Sequence, residues 1–130
     1  PRNFTGETYL VTTAVSAATG LGIFQHGGFG PPHVLSLLTL AALALGTAAA
    51  LTRLFGKWSR DLQAICYSTT IFFHLIPGVT ETTTRLPAGA PLLASADAPE
   101  LKAVAGVLLL LLVVGLVLQL RWFRRGGARV

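Results

Sequence analysis

Residues 34–52 form a run of 19 residues without a charged side chain. In an α-helix, which rises about 1.5 Å per residue, this run is about 28 Å long, close to the thickness of the hydrocarbon core of a bilayer. A second apolar run, at residues 103–120, is rich in leucine and valine, and its one polar side chain is Gln119. These two runs constrain the chain to a helical protein that crosses a membrane.

The composition agrees with a surface that faces lipid. The chain has 130 residues, of which 52% are hydrophobic and 12% are charged, whereas soluble domains carry about 25% charged residues. The length is that of one domain, residues 1–130. We therefore predict an all-α integral membrane four-helix bundle, whose spans lie at about residues 4–24, 33–55, 61–79 and 101–120.

Turn signals separate these predicted spans. Residues 25–32, QHGGFGPP, contain three glycines and two prolines, which predicts a turn followed by a helix that starts at the prolines. Residues 56–60, GKWSR, form a short basic turn, and residues 86–100 form a loop with three prolines. The first span is rich in small and hydroxyl side chains, which predicts that it packs inside the protein through residues such as Thr12, Ser16 and Thr19. The aliphatic fourth span is expected to face lipid or another chain.

The basic residues predict how the chain is oriented. Two of the ten, Arg85 and Lys102, fall on one side of the predicted spans. The other eight fall on the opposite side: Arg2, Arg53, Lys57, Arg60, Arg121, Arg124, Arg125 and Arg129. By the positive-inside rule, both termini and the GKWSR turn are cytoplasmic. The net charge of +5 therefore indicates contact with anionic lipid and not with nucleic acid, because the basic tail directly follows a span.

A polar stripe runs along the third predicted span. If the chain stays helical through Pro77, side chains separated by three or four residues share one face. They are Gln63, Tyr67, Thr70, His74, Gly78, Glu81 and Arg85, and the opposite face is apolar. Lipid does not solvate such a stripe, so the stripe is expected to face protein or water.

The predicted topology brings all three histidines to the outer side of the membrane. Imidazoles and a carboxylate are ligands that zinc and other transition metals accept, and three or four are needed. The candidate metal ligands are His33, His74, Glu81 and His26. No close ligand spacing of the kind found in known metal motifs is present.

Other functions for these residues stay open. A b-type haem held between His33 and His74 is one alternative, but helix rise places His74 about 9 Å deeper than His33. Glu81 lies closer to the level of His33, which favours a metal site or a proton-handling site. Each residue also has an ordinary structural role available, such as an ion pair between Glu81 and Arg85. A further alternative is an accessory subunit of a larger membrane complex, with other subunits or a second copy as partner and no chemistry of its own.

Two runs, FQHGGFGPPHVLSLLTL and FFHLIPGVTETTTRLP, resemble segments of small bacterial polytopic membrane proteins of unknown function. The resemblance covers about residues 20–90 and implies a multi-pass protein of the inner (plasma) membrane of a bacterium. It implies no activity, cofactor or site residue.

Overall fold

The computed structural model of the chain describes residues 3–22, 27–52 and 54–126, and these residues form helices and no strand. The all-α prediction is confirmed for this part of the chain. The elements, in chain order, are α1 (Phe4–Gly20), α2 (Pro31–Leu51), a 3-10 turn (Gly56–Trp58), α3 (Ser59–Arg85) and α4 (Pro99–Arg124).

Three of the four helices are long and apolar enough to cross a membrane. They are α2, with 21 residues, the stretch Gly56–Arg85, with 30 residues, and α4, with 26 residues. Helix α1 has 17 residues and is not among them. Its 17 residues span about 25 Å, less than the hydrocarbon core of about 30 Å.

The helix ends differ from the predicted spans at two places that matter for the site. Helix α2 begins at Pro31, as the double proline predicts, and this places His33 inside its first turn. Helix α3 continues through Pro77 to Arg85, six residues beyond the predicted end at residue 79. The threonines near its end fit a helix because their hydroxyls bond carbonyls one turn earlier, as Thr82 does with the Gly78 oxygen at 2.7 Å.

By its internal contacts, the chain divides into two compact units, Pro1–Thr70 and Ile71–Val130, and α3 contributes to both. In the first unit, α1 lies along α2 in the opposite direction. Gly20 at the end of α1 adjoins Ser36 near the start of α2. Tyr9 lies eleven residues before Gly20 in α1, and its hydroxyl lies within hydrogen-bonding distance of the carbonyl of Tyr67. The ring of Tyr67 packs against Gly46, which lies ten residues after Ser36 in α2.

The face that α1 turns toward its neighbours is offset from the predicted one. Thr13 and Ala17 are buried, so α1 packs against its neighbours along one face, while most of its other side chains are exposed. Thr12, Ser16 and Thr19 were predicted to pack there too, and they are exposed. At about 100° per residue, they lie on an adjacent stripe. The hydroxyl of Thr12 bonds the Thr8 carbonyl at 2.8 Å, so this side chain meets its hydrogen-bonding need within α1.

In the second unit, the end of α3 adjoins the start of α4. A shallow depression between them is lined by Ile76, Val79, Thr80, Leu101, Val104, Ala105 and Leu108. The loop between the helices folds back on α3, because the Leu93 N–H donates to the Thr83 carbonyl at 3.0 Å. None of the most apolar 18 residues of α4 is buried. This exposure fits the expectation that α4 faces lipid or another chain.

Candidate functional site

His33 is a buried side chain that helps to begin α2. It is the third residue of the helix, and its imidazole is 3% exposed. The imidazole turns back so that its Nδ1 accepts a hydrogen bond from the Gly30 N–H at 3.1 Å. The ring stacks on Phe29, with 5.1 Å between ring centroids. This is the role that glutamate or glutamine plays at the third position of a capping box.

This hydrogen bond determines which nitrogen of His33 carries the proton. A neutral imidazole has one N–H donor and one acceptor nitrogen. Since Nδ1 accepts from Gly30, the proton of the neutral ring is on Nε2, an atom that is itself buried. In this state neither nitrogen offers a lone pair to a metal ion, because one accepts a hydrogen bond and the other carries a proton. Metal binding by His33 would require the loss of the Gly30 contact or of the Nε2 proton.

His74 and Glu81 lie on one face of the part of α3 that belongs to the second unit. They are seven residues apart, which is about 10.5 Å along a helix. His74 is half-buried, and its position is inside a candidate membrane span. Glu81 forms an ion pair with Arg85, one turn further on, and both side chains are exposed. The predicted Glu81–Arg85 pair is therefore present.

The predicted metal site is not assembled within the described residues. The parts of the chain that the structure describes contain no group of three or more His, Cys, Asp or Glu side chains that could hold a metal ion. His26, the fourth predicted ligand, lies outside the described residues. His33 belongs to the first unit and His74 and Glu81 belong to the second, and each unit is described by itself. A metal ion, the Glu81–His33 pairing and a haem between His33 and His74 remain predictions.

The first unit contains a hydroxyl network that sequence reasoning missed. The Tyr9 hydroxyl lies 2.6 Å from the Thr70 hydroxyl and 3.3 Å from the Tyr67 carbonyl oxygen. The hydroxyl of Thr70, which is 0% exposed, lies 2.7 Å from that same carbonyl oxygen. The Tyr67 hydroxyl lies 3.4 Å from the hydroxyl of Thr47. The network therefore joins α1, α2 and the first part of α3.

Counting donors leaves two arrangements of these hydrogen bonds. Thr70 has one hydroxyl hydrogen, and the Tyr67 carbonyl can accept it. If Thr70 donates to that carbonyl, Tyr9 donates to Thr70. If Tyr9 donates to the carbonyl at 3.3 Å, Thr70 donates to Tyr9, and either arrangement keeps the two hydroxyls hydrogen-bonded. The polar stripe of α3 did single out Tyr67 and Thr70. Nothing in the sequence pointed to Tyr9 as their partner, because it precedes Thr70 by 61 residues.

The fold defines the class of protein. Within the residues that the structure describes, it is all-helical, and three of its helices are long and apolar enough to cross a bilayer. The chain matches no protein-family model, no curated protein and no solved structure. Function must therefore be argued from the residues.

Proposed function

We propose that the chain is a small integral protein of a bacterial inner membrane, that its four helices all cross the bilayer, and that it handles protons through His74 and Glu81. Three helices have the length and composition of membrane spans. The proposal that α1 is the fourth span is supported by its packing along α2. The stretch of α1 from Tyr9 to Gly20 lies beside the stretch of α2 from Gly46 to Ser36, and the two stretches are about equally long. If α2 crosses the bilayer, α1 therefore lies at the same depth in it.

The observation that carries the proton-handling proposal is the position of His74 in the middle of a candidate span, two helical turns before a carboxylate on the same face. Ionisable side chains inside a membrane are rare and commonly mark proton or ion pathways. Imidazole exchanges protons near neutral pH, which carboxylates and guanidinium groups ordinarily do not. Proton handling suits His74 and Glu81 better than metal binding. The predicted metal site also needs His33 as a ligand, and the Nδ1 of His33 accepts a hydrogen bond from the Gly30 N–H.

The test uses purified protein in vesicles that contain a pH-sensitive dye, with a pH gradient imposed across the membrane. The parent is expected to collapse the gradient faster than protein-free vesicles. His74→Gln should reduce the rate to that of protein-free vesicles, because an amide does not carry a proton. Glu81→Gln should slow the rate, because the carboxylate that follows His74 on the same face is lost.

His33→Gln is the matched control for this experiment. Glutamine at the third helical position can still accept from the Gly30 N–H, so α2 keeps its cap and the rate should stay at the parental value. Equal rates for parent, His74→Gln and protein-free vesicles would contradict the proposal. A Soret absorption band in the parent, lost on replacement of either His33 or His74, would favour haem instead. Stoichiometric bound metal would favour the metal site.

A second candidate is an accessory subunit of a larger membrane complex. It is supported by α4, whose most apolar 18 residues are all unburied within this chain. Leu109, Leu110 and Leu111 are each at least half exposed. Such a surface can face lipid or a helix of another subunit. Copurification in fixed stoichiometry with other membrane proteins, together with an absence of proton flux, would favour this candidate.

A further inference from the structure

The two sides of α4 are unlike each other. One side carries the residues that are buried or half-buried, which recur at three- and four-residue steps: Leu101, Ala105, Leu108, Leu112, Leu116, Leu120 and Phe123. At about 100° per residue, the opposite side carries Val114, Val117 and Arg121, and Val113 and Arg124 lie at one edge of it. Arg125 follows Arg121 by four residues and caps the end of α4. All six of these side chains are exposed.

This outer side combines an apolar track with a cationic end. Val113, Val114 and Val117 are 51%, 47% and 43% exposed, and the three arginines follow them directly. Five acidic residues occur in the whole chain and none follows Glu100, so residues 101–130 carry no acidic side chain. Trp122, which is 54% exposed, adds an aromatic side chain of the kind that lies at the level of lipid headgroups.

We propose that this side of α4 is a binding surface for an anionic phospholipid. A phospholipid has the two matching parts, an acyl chain that fits the valine track and a phosphate that the guanidinium groups of Arg121, Arg124 and Arg125 bind as hydrogen-bond donors. Guanidinium groups suit this role because their planar donor fork pairs with phosphate oxygens. The positive charge of the three guanidinium groups favours an anionic headgroup over a zwitterionic one. The inference rests on the proposed insertion of α4 in a membrane.

The test places the full chain in lipid nanodiscs that contain equal amounts of phosphatidylcholine and phosphatidylglycerol. The lipids that stay bound after mild detergent extraction are then counted by native mass spectrometry. The parent should retain phosphatidylglycerol in clear excess. Replacing the three arginines together with glutamine should lower that excess about fivefold for each arginine removed. All three side chains are exposed, so the fold should be kept, which circular dichroism would verify.

Two further variants make the result specific. Lys102→Gln removes an exposed cation from the other end of α4 and should leave the lipid ratio unchanged. Replacing the three arginines with lysine keeps the charge and should keep part of the excess. A parent that inserts into the discs but retains both lipids equally would overturn this inference alone, whereas a parent that fails to insert would overturn the membrane proposal as well. Stronger binding to duplex DNA than to phosphatidylglycerol vesicles would also overturn it.

Discussion

Gly46→Val is expected to destabilise the protein by about 3 kcal/mol, because it inserts a branched side chain where two helices touch. A Cβ atom on Gly46 would lie 2.8 Å from Cε1 of Tyr67 and 2.9 Å from Cβ of Cys66. The tyrosine ring can rotate away only by weakening its contact with Thr47, and the cysteine Cβ moves only with the backbone of α3. The loss of unfolding free energy can be measured by titrating detergent-solubilised protein with sodium dodecyl sulfate.

Gly115→Val is the matched control, since Gly115 lies inside α4 and a Cβ there would meet no atom within 4 Å. Valine has a somewhat better helix propensity than glycine, so the stability should change by no more than about 0.5 kcal/mol. If both variants lose the same stability, the close approach of α2 and α3 at Gly46 is not what the substitution disturbs, and the described packing of the first unit is wrong.

Thr70→Val is expected to cost about 1–2 kcal/mol of unfolding free energy. Valine has nearly the same shape as threonine but lacks the hydroxyl that hydrogen-bonds with the Tyr9 hydroxyl and the Tyr67 carbonyl. Tyr9 would then keep only the longer contact, at 3.3 Å, with that carbonyl. The same sodium dodecyl sulfate titration measures this loss.

Thr69→Val tests whether the effect belongs to the network between helices. The Thr69 hydroxyl bonds the Ile65 carbonyl within its own helix, so its removal should cost much less. Combining Thr70→Val with Tyr9→Phe should cost less than the sum of the two single changes, because both remove the same hydrogen bond. Additive losses would show that Tyr9 and Thr70 do not interact.

Several features of the fold could be predicted from sequence because they depend on neighbours along the chain. The helical class follows from the uncharged runs, and the start of α2 follows from Pro31 and Pro32. The polar stripe of α3 follows from its period. The condition on that stripe, that the chain stays helical through Pro77, is met because α3 runs to Arg85 and the threonine hydroxyls near its end bond within the helix.

The missed features depend on residues distant in sequence or on small rotations of a helix. The Tyr9–Thr70 hydrogen bond requires the packing of α1, which no local pattern specifies. Small residues occur on all sides of α1, so the sequence pattern does not favour one face. The buried face therefore differs from the predicted one by one residue, with Thr13 buried in place of Thr12. The role of His33 as a cap was missed because histidine is not a usual residue at the third position of a capping box, and the hydrogen bond from the Gly30 N–H depends on how the imidazole turns back.

The central claim is that four helices cross the membrane, and α1 is the helix that most needs a direct test. Four spans place the two termini on the same side, whereas three spans, with α1 at the surface, place them on opposite sides. Reporters fused before Pro1, near Ala94 and after Val130 should read cytoplasmic, external and cytoplasmic, as the eight-to-two distribution of basic residues predicts. An external N-terminus with a cytoplasmic C-terminus would contradict the four-span account.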